Sequence, residues 1–398
     1  MNKIKEFFRK LGETLTAKKG AINDFRIYQK MKHRKRLVVI GAAAVFLLAA
    51  ALVIYFRVET GYFVLSGSDQ ADISGTVYEK FGSGLLKYSA DGVSYVTPSG
   101  DTTWSTTYTM QAVLADVGEE AAALAERQGT QVYLFNLEGM IGQFETTLPI
   151  SDVSVAEQGV VAVTLEDGDV TWVNYYDTEG NEIATDRTTI DNSGYPIDMD
   201  LSPDGLKIMV SYLQATQGSM RTEVAFYNFD SVGQSEVNNL VSSYTYENAV
   251  VPEVFFLSES VSAAVRSDGF SVYRGTQIPE ETASVSFEEE ILTAFHDSSH
   301  LGFVFQSDRE DYRYRIELYN LSGNRIMRKY INLEYTGIRL QNGNVIVCND
   351  QGFEVYGTGG RHKASVTYEK PVNDVICINI FGQYFVSTTE GAELIQVR

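Results

Sequence analysis

Cysteine, proline and tryptophan are scarce in this chain of 398 residues, which contains two, seven and two of them. So few cysteines exclude the disulfide framework that stabilises many small secreted domains, and the fold must rely on a hydrophobic core. Cys348 and Cys377 both lie in apolar runs, which predicts two buried thiols. A disulfide between neighbouring elements is the open alternative.

The short motifs of common catalytic and ligand sites are also absent from the sequence. It contains no G-x-S-x-G, H-E-x-x-H, Walker-type G-x-x-x-x-G-K-[ST] or C-x-x-C run. We therefore predict no catalytic, cofactor-binding or metal-ligating residue and no bound cofactor. With only Trp104 and Trp172, the chain also lacks the tryptophans that a quinone cofactor site needs.

Two polar clusters are the remaining candidates for chemistry. The segment from His296 to His300 reads HDSSH, which is either a metal or Ser/His/Asp site or a polar loop between two strands. Asp198, Asp200 and Asp204 follow part of a calcium-loop spacing but lack the fifth-position ligand and the downstream glutamate. A hairpin corner explains Asp204 more simply.

The longest apolar run covers residues 37–56, twenty positions without a charged residue. At about 1.5 Å rise per residue, such a helix spans roughly 30 Å, the thickness of a bilayer's hydrocarbon core. We therefore predict a single transmembrane helix over residues 37–56. A cleaved signal peptide is the alternative, although its apolar region usually has only about 7–15 residues.

Charge differs sharply between the two sides of this run. Residues 1–36 hold twelve Lys or Arg and three acidic residues, a net charge of +9, whereas the rest of the chain carries −29. Basic residues beside a span stay in the cytoplasm. We therefore predict a cell-membrane protein with a cytoplasmic tail (1–36) and an extracellular remainder. So acidic a remainder repels polyanions, which excludes a nucleic-acid partner.

Apolar residues of the basic tail recur at helical spacing, namely Ile4, Phe7, Phe8, Leu11 and Leu15. A basic amphipathic helix of this kind can lie on an anionic inner leaflet. The alternatives are a disordered topology signal and a docking element for a cytoplasmic or membrane partner.

From about residue 76, short runs rich in Val, Ile, Tyr, Phe and Thr alternate with turns. Six of these turns end in a glycine that supplies the positive-φ corner of a tight hairpin: Gly92, Gly129, Gly168, Gly269, Gly352 and Gly391. The strand after each turn reaches a recurring apolar or aromatic position, at residues 96, 135, 176, 227, 273, 319 and 356, with an eighth near Ile395. The steps between these positions are 39, 41, 51, 46, 46, 37 and 39 residues, and a period near 40–45 is typical of a four-stranded propeller blade.

Eight hairpins follow from this repeat, over residues 84–97, 122–136, 159–176, 206–229, 260–273, 301–320, 343–357 and 383–397. We predict an all-β propeller of eight four-stranded blades over residues 73–398, after a stalk at 57–72, with seven blades as the alternative. The last hairpin lacks a fourth strand. We expect residues 62–65 or 75–78 to supply it, because an unpaired edge would otherwise be exposed.

Two segments resemble the repeats of known propeller families. Residues 94–104, SYVTPSGDTTW, resemble a quinoprotein-type blade, in which a docking tryptophan follows glycine by four residues, although Ala184 and Met327 stand there in other repeats. Residues 200–210, DLSPDGLKIMV, resemble a WD40-like blade. With its basic tail and single span, the chain resembles an uncharacterised family of membrane-anchored propeller proteins of Gram-positive bacteria. That resemblance implies a fold and no chemistry.

The function expected from these features is that of a membrane-anchored extracytoplasmic binding or assembly module for envelope proteins or polymers. Propellers bind through loops at the ends of the central channel. Some of the 24 tyrosines are expected to line one mouth and stack on a sugar or peptide. The alternative is an extracytoplasmic hydrolase or lyase whose site is dispersed over several blades and escapes motif searches.

Overall fold

The computed structural model describes residues 57–68, 72–189, 194–216 and 218–398, together with residues 5, 6, 9, 10, 12–14, 18, 19, 30, 32, 40–49, 52, 55 and 56. The chain divides into two compact units, Met1–Arg57 and Val58–Arg398. Apolar tail residues such as Phe7 and Leu11 lie outside the described residues.

Residues 40–49 of the first unit are helical. Positions 37–39, 50, 51, 53 and 54 of the predicted span lie outside the described residues. Within the part of the chain that is described, no helix combines the length and apolar character required to cross a membrane.

The second unit is an eight-bladed β-propeller, because its strands form eight four-stranded antiparallel sheets. Strand β1 (Tyr62–Ser68) precedes the first blade. The first four blades follow in chain order: β2 (Val77–Phe81), β3 (Gly84–Ser89), β4 (Gly92–Val96) and β5 (Thr102–Thr107); β6 (Val113–Val117), β7 (Ala121–Glu126), β8 (Gln131–Asn136) and β9 (Gly139–Glu145); β10 (Ile150–Val155), β11 (Val161–Asp167), β12 (Val170–Tyr176) and β13 (Glu182–Thr189); β14 (Tyr195–Leu201), β15 (Lys207–Thr216), β16 (Ser219–Asn228) and β17 (Leu240–Glu247). Short 3₁₀ helices at Gly233–Ser235 and Val237–Asn239 connect β16 to β17.

The remaining blades continue the same order: β18 (Glu253–Ser258), β19 (Val261–Arg266), β20 (Gly269–Arg274) and β21 (Glu280–Ser286); β22 (Thr293–His296), β23 (His300–Gln306), β24 (Tyr314–Asn320) and β25 (Arg325–Ile331); β26 (Gly337–Gln341), β27 (Asn344–Asn349), β28 (Gly352–Gly357) and β29 (His362–Thr367); and β30 (Val372–Cys377), β31 (Gln383–Thr388) and β32 (Gly391–Val397), whose fourth strand is β1. Eight blades are therefore confirmed over seven.

Strand β1 closes the ring by pairing antiparallel with β32, with Tyr62 opposite Val397. This confirms the first of the two expected closing segments, whereas residues 77 and 78 of the second belong to β2 in the first blade. Tyr62 also stacks on Tyr368, with ring centroids 4.7 Å apart. Residues 62–68 of the predicted stalk thus belong to the propeller.

The recurring position found in the sequence marks a β-bulge. In seven blades the register between the third and fourth strands shifts beside that residue: Val96, Phe135, Tyr176, Tyr227, Tyr273, Tyr319 and Tyr356. An extra residue bends the strand and increases its twist. The predicted positive φ is found at Gly92, Gly168, Gly269, Gly352 and Gly391, whereas in blade two Gln128 adopts it instead of Gly129. At Gly352, φ is +151° and a Cβ would lie 2.0 Å from the carbonyl oxygen of Val366.

Each pair of neighbouring blades buries its own hydrophobic cluster. Cys348 and Cys377 belong to the cluster between blades seven and eight and are free thiols, as predicted. Trp104 stacks on Phe135 of the next blade at 5.4 Å and donates its indole N–H to the carbonyl of Leu137. This is the docking role that the quinoprotein-type resemblance implies.

Candidate functional site: the acidic channel

The first strands of neighbouring blades run parallel along the central channel. Asp198 and Asp200 of β14 accept hydrogen bonds from the N–H groups of Val254 and Phe256 in β18, at 2.6 and 2.5 Å. Because equal steps along both strands keep these contacts, the strands point the same way. In each blade, the first turn joins the first and second strands, and the third turn joins the third and fourth strands. Both turns lie at the same end of the ring, which we call the odd-turn end. The opposite end is the even-turn end.

A cavity of about 840 Å³ follows the first strands of blades two to six. Its described lining carries eight acidic residues and neither Lys nor Arg. The acidic residues are Asp116, Glu119, Asp152, Glu157, Asp198, Asp200, Glu253 and Glu259. The cavity therefore presents a one-sided negative potential, which its low-dielectric walls intensify.

Asp116 and Asp200 share the hydroxyl group of Ser154. Ser154 Oγ lies 3.0 Å from Asp116 Oδ2 and 2.8 Å from Asp200 Oδ1. A hydroxyl has one hydrogen to donate, so the second contact is a hydrogen bond only when that carboxyl is protonated. Burial raises the pKa of both carboxyls, and the charge of Asp116 raises that of Asp200 further. Asp116, Ser154 and Asp200 therefore favour a state in which at least one of the two carboxyls is protonated.

Three further carboxyls of the channel titrate near neutral pH. Burial raises the pKa of Asp152 to about 7, that of Asp198 to about 6 and that of Glu253 to about 7. The charge of Asp198 adds to the rise at both of its neighbours. The negative charge of the channel therefore increases between about pH 5 and 8.

Glutamates from first turns surround the mouth of the channel at the odd-turn end. Burial and the charges of Glu120, Glu119 and Glu259 raise the pKa of Glu157. These residues come from blades two, three and five, so the mouth continues the negative potential of the wall.

An aspartate follows a β-bulge of the first strand in three blades, opposite a hydroxyl residue of the second strand: Asp152 opposite Thr164, Asp198 opposite Ser211, and Asp374 opposite Ser387. Asp374 forms two contacts with Arg339 of blade seven, at 3.1 and 2.6 Å. Within the described part of the chain, no Lys or Arg forms a salt bridge with Asp152 or Asp198. Arg127 lines the smaller cavity that contains both aspartates, and its guanidinium lies 3.5 Å from the carbonyl of Ser151. The fold therefore pairs this position with an arginine in one blade and leaves it without a salt bridge in two.

Three channel carboxyls, those of Asp116, Asp198 and Asp200, also have a structural role, since each accepts a backbone N–H of the next blade. Asp116 Oδ2 accepts the backbone N–H of Val155 at 2.6 Å, as the aspartates of β14 do from β18. A carboxylate has about four acceptor sites, so one backbone bond leaves capacity for a ligand.

The two histidines of the HDSSH segment are separated by the structure. His296 lines the cavity and stacks on Phe255, with ring centroids 3.7 Å apart, and burial lowers its pKa to about 4. His300 Nδ1 instead lies 3.1 Å from Asp297 Oδ1 in the turn. Among the described residues, no group of three or more His, Cys, Asp or Glu is arranged to hold a metal ion.

Asp198, Asp200 and Asp204 do not form a calcium loop. The first two line the channel, whereas Asp204 lies in the turn after β14 and contacts Lys207 Nζ at 2.9 and 3.2 Å. Lys207 is only 1% exposed, so its ammonium group depends on this carboxylate. The hairpin-corner interpretation of Asp204 is confirmed.

The expected tyrosines are not found around the mouth of this cavity, whose described aromatic lining consists of Phe255, Phe256 and His296. Tyr195 lines a second cavity of about 390 Å³, which shares Asp152 and Asp198 with the first. The stacking surface of the channel is therefore small compared with its acidic surface.

Sequence reasoning missed the acidic residues of the other first strands, above all Asp116, Asp152 and Glu253. A signal was present, because the runs Ile150-Ser-Asp-Val, Pro196-Ile-Asp-Met and Val372-Asn-Asp-Val place an aspartate between apolar residues. The repeat that is evident in the sequence lies in the second and third strands of each blade, so it does not align these runs.

Comparison with known proteins identifies a family and a fold. The sequence matches a family described as a family of unknown function (DUF5711) over residues 55–397. No curated protein matches the sequence significantly.

Among solved structures, the crystal structure of BamB from Moraxella catarrhalis is similar at a TM-score of 0.51 and 10% sequence identity, covering 84% of this chain and 99% of that one. Kuenenia stuttgartiensis hydrazine synthase follows at 0.47 and 11%, covering 75% and 99%. The Pan2 WD40 domain of Neurospora crassa follows at 0.45 and 8%, covering 85% and 96%. These similarities concern the fold.

Proposed function

The chain belongs to the DUF5711 family, whose function is unknown, and we propose that its propeller is a binding module that receives a cationic segment of a partner protein. The observation that carries this proposal is the contrast among the bulge aspartates. Arg339 forms a salt bridge with Asp374, whereas Asp152 and Asp198 face the cavity of about 840 Å³, whose described lining holds no Lys or Arg, without such a partner. A Lys or Arg side chain of a partner would supply the missing charge.

The size and charge of the channel fit such a ligand. A volume of about 840 Å³ lies within the usual range of ligand sites, roughly 300–1,000 Å³, and admits a few side chains. Carboxylates in a confined, low-dielectric wall attract cations more strongly than surface carboxylates do. Proteins with basic segments are therefore favoured over neutral envelope polymers.

The test is binding of a fluorescent octalysine peptide to the full-length protein, followed by anisotropy at pH 8. We expect Asp152→Asn with Asp198→Asn to weaken binding by roughly tenfold or more, since each removes an opposing charge. Glu334→Gln with Glu390→Gln is the matched control, because it changes the net charge equally at exposed positions.

Acidification supplies a second arm of this test. Protonation of the channel carboxyls should weaken binding to the wild-type protein between pH 8 and 5, and much less in the channel variant. Equal affinities of the channel and control variants would overturn the proposal.

We further propose that residues 37–56 anchor the propeller on the outer side of the cell membrane. The support comes from the uncharged run of twenty residues and from the charge of +9 before it. A reporter that is active only outside the cell should work after Arg398 and stay silent on the tail. The reverse pattern would refute the orientation, and release of the protein by alkaline washing would refute the anchor.

The partners of an anchored module should be membrane proteins or envelope components near the outer leaflet. In-cell crosslinking with mass spectrometry would identify them, using the full chain and a chain without residues 1–30. If the chain without residues 1–30 captured none of the partners of the full chain, recognition would be assigned to the basic tail.

An extracytoplasmic hydrolase is the second candidate, and the titration of the channel favours it. Asp152 and Glu253 have a pKa of about 7, which suits a general acid or base at neutral pH. The two candidates differ in one measurement. In an enzyme, Asp152→Asn lowers turnover while ligand binding persists, whereas in a binding module the affinity falls.

A further inference from the structure

The turn between β30 and β31 exposes two large apolar side chains at its tip. Ile380 is 72% exposed and Phe381 is 78% exposed. Phe63 of β1, which is 43% exposed, is paired with Gln396, and the amide of Gln396 donates to the carbonyl of Phe381 at 2.8 Å. We name Phe63, Ile380 and Phe381 the Phe381 patch.

Polar bonds fix the backbone of this turn. Asn379 Oδ1 accepts the N–H of Phe381 at 2.9 Å, and the Asn379 amide donates to Gln383 at 2.6 Å. Gly382 adopts a φ of +82°, which a residue with a side chain adopts only with strain. Two adjacent large apolar side chains on a fixed turn remain exposed to water in the isolated protein. Such an exposed apolar patch indicates a binding surface.

The patch lies at the odd-turn end of the ring, beside the point where the chain enters the propeller. Gly61 and Arg398 exchange backbone hydrogen bonds of 3.1 and 2.9 Å. The next residue along β32, Val397, donates its N–H to the carbonyl of Gly382 at 3.0 Å. The hairpin tip and the incoming chain are therefore direct neighbours.

Basic residues accompany the patch, in contrast to the acidic channel mouth at the same end. The guanidinium of Arg398 lies 5.7 Å from the ring centroid of Phe63. Lys363 Nζ donates to the side-chain oxygen of Asn344, whose amide lies 3.8 Å from the Sγ of Cys377 at the end of β30. The backbone N–H of Glu59 donates to the carbonyl of Lys363 at 2.9 Å, which ties the incoming chain to the same region.

We propose that the Phe381 patch inserts into the interfacial layer of the lipid bilayer. The proposal rests on the anchoring proposed above. The apolar run ends at Phe56, five residues before Gly61, and five residues extend over at most about 18 Å. A bilayer that holds this run lies within reach of the patch. Aromatic and aliphatic side chains with adjacent Lys and Arg are the residues that bind membrane interfaces.

The channel mouth at the odd-turn end has the opposite character. Around the channel mouth stand Glu119, Glu157 and Glu259, which anionic headgroups repel. Val237, between the third and fourth strands of blade four, is 83% exposed but belongs to the blade opposite the patch. It serves as the matched control, because it is equally apolar and exposed at the same end.

The experiment places an environment-sensitive fluorophore on cysteine in the full-length protein, reconstituted in vesicles of phosphatidylcholine and phosphatidylglycerol. Phe381→Cys is compared with Val237→Cys. The native thiols are 3% and 0% exposed, and burial raises the pKa of Cys348 to about 12, so labelling is selective. We expect the label at 381 to shift to the blue and to be quenched by spin-labelled lipids, and the label at 237 to show neither change.

Three outcomes separate the possibilities. If the protein resists alkaline extraction, the anchor is supported. In such protein, equal lipid quenching at positions 381 and 237, or no quenching at 381, overturns the proposal for the patch alone. Protein that is extracted by alkali refutes the anchor instead. A blue shift that grows with protein density without lipid quenching assigns the patch to a second copy of the chain and overturns the membrane contact. Adding Ile380→Ser should reduce the lipid quenching at 381 by about half or more.

Discussion

Arg339 Nη2 lies 2.6 Å from Asp374 Oδ2, across the boundary between blades seven and eight. A second contact, from Arg339 Nε to Asp374 Oδ1, measures 3.1 Å, so the pair has the two-pronged geometry that makes Arg–carboxylate pairs strong. Asp374 occupies the bulge position of Asp152 and Asp198. The same bulge position thus holds an aspartate with an arginine partner in blade eight and an aspartate without a salt bridge in blades three and four.

Removing the cation from this pair should destabilise the propeller. We expect Arg339→Gln to lower the free energy of unfolding by about 1–3 kcal/mol, because a half-buried carboxylate loses its partner. Urea denaturation at pH 7.5 measures this, and Asp374→Asn in the same chain should recover most of the loss. The exposed pair Arg313–Glu334 is the control, where Arg313→Gln should cost less than about 0.5 kcal/mol.

The buried carboxyls of the channel make stability depend on pH. Asp152 and Asp198 bind protons in the folded state up to a pKa of about 7 and about 6, whereas unfolded aspartate has a pKa near 3.9. Their contribution is therefore complete below about pH 4 and is lost as the pH rises through 6 to 7. The wild-type protein should lose stability between pH 5 and 8.

The variant that carries Asp152→Asn and Asp198→Asn should show a smaller loss, by about 2 kcal/mol in urea denaturation at the two pH values. His296, whose lowered pKa acts in the opposite sense below about pH 6.5, is present in both proteins and cancels in the comparison. Identical pH slopes would show that these two carboxyls are not protonated in the fold.

Removing either charge of the Lys207–Asp204 pair should lower the free energy of unfolding, but by unequal amounts. Asp204→Asn leaves an ammonium group, 1% exposed, without its carboxylate, and we expect a loss of about 3 kcal/mol. Lys207→Met removes the buried charge itself and should cost clearly less.

Thermal unfolding of the wild type with and without calcium tests the same turn for metal binding. We expect the same Tm in both, and a rise in Tm with calcium would contradict the hairpin-corner interpretation of Asp204.

The closing strand predicts which truncation remains folded. A chain of residues 58–398 should unfold cooperatively, because it retains β1. A chain of residues 73–398 leaves the edge of β32 unpaired and removes Tyr62 from its stack on Tyr368, so it should have a lower Tm and associate through that edge. Size-exclusion chromatography and calorimetry distinguish the two, and equal behaviour would mean that β1 does not stabilise the ring.

The fold was accessible from the sequence because its determinants are local. Turn glycines such as Gly269 and Gly352 mark hairpins, and recurring aromatics such as Tyr273 and Tyr319 mark the bulge before the fourth strand. The count of hairpins then gave eight blades. The extent of the ring was harder to place, because the pairing of Tyr62 with Val397 joins distant ends of the chain.

The candidate site was not accessible in the same way. In the sequence, His296 and the Asp198–Asp200 pair belong to local clusters, but the other members of those clusters, His300 and Asp204, are bound in turns. Asp116 gives no local signal, because an isolated aspartate on a strand has no partner within its own segment.

The sequence by itself indicated the four-stranded repeat, favoured eight blades over seven and fixed the uneven distribution of charge, since alternation, turn chemistry and composition act over short stretches of chain. Only the tertiary structure decided which carboxyls meet. Ser154 and Asp200 lie 46 residues apart and come together because each blade directs its first strand toward the same axis. That convergence, which no local pattern encodes, turns dispersed acidic residues into one channel.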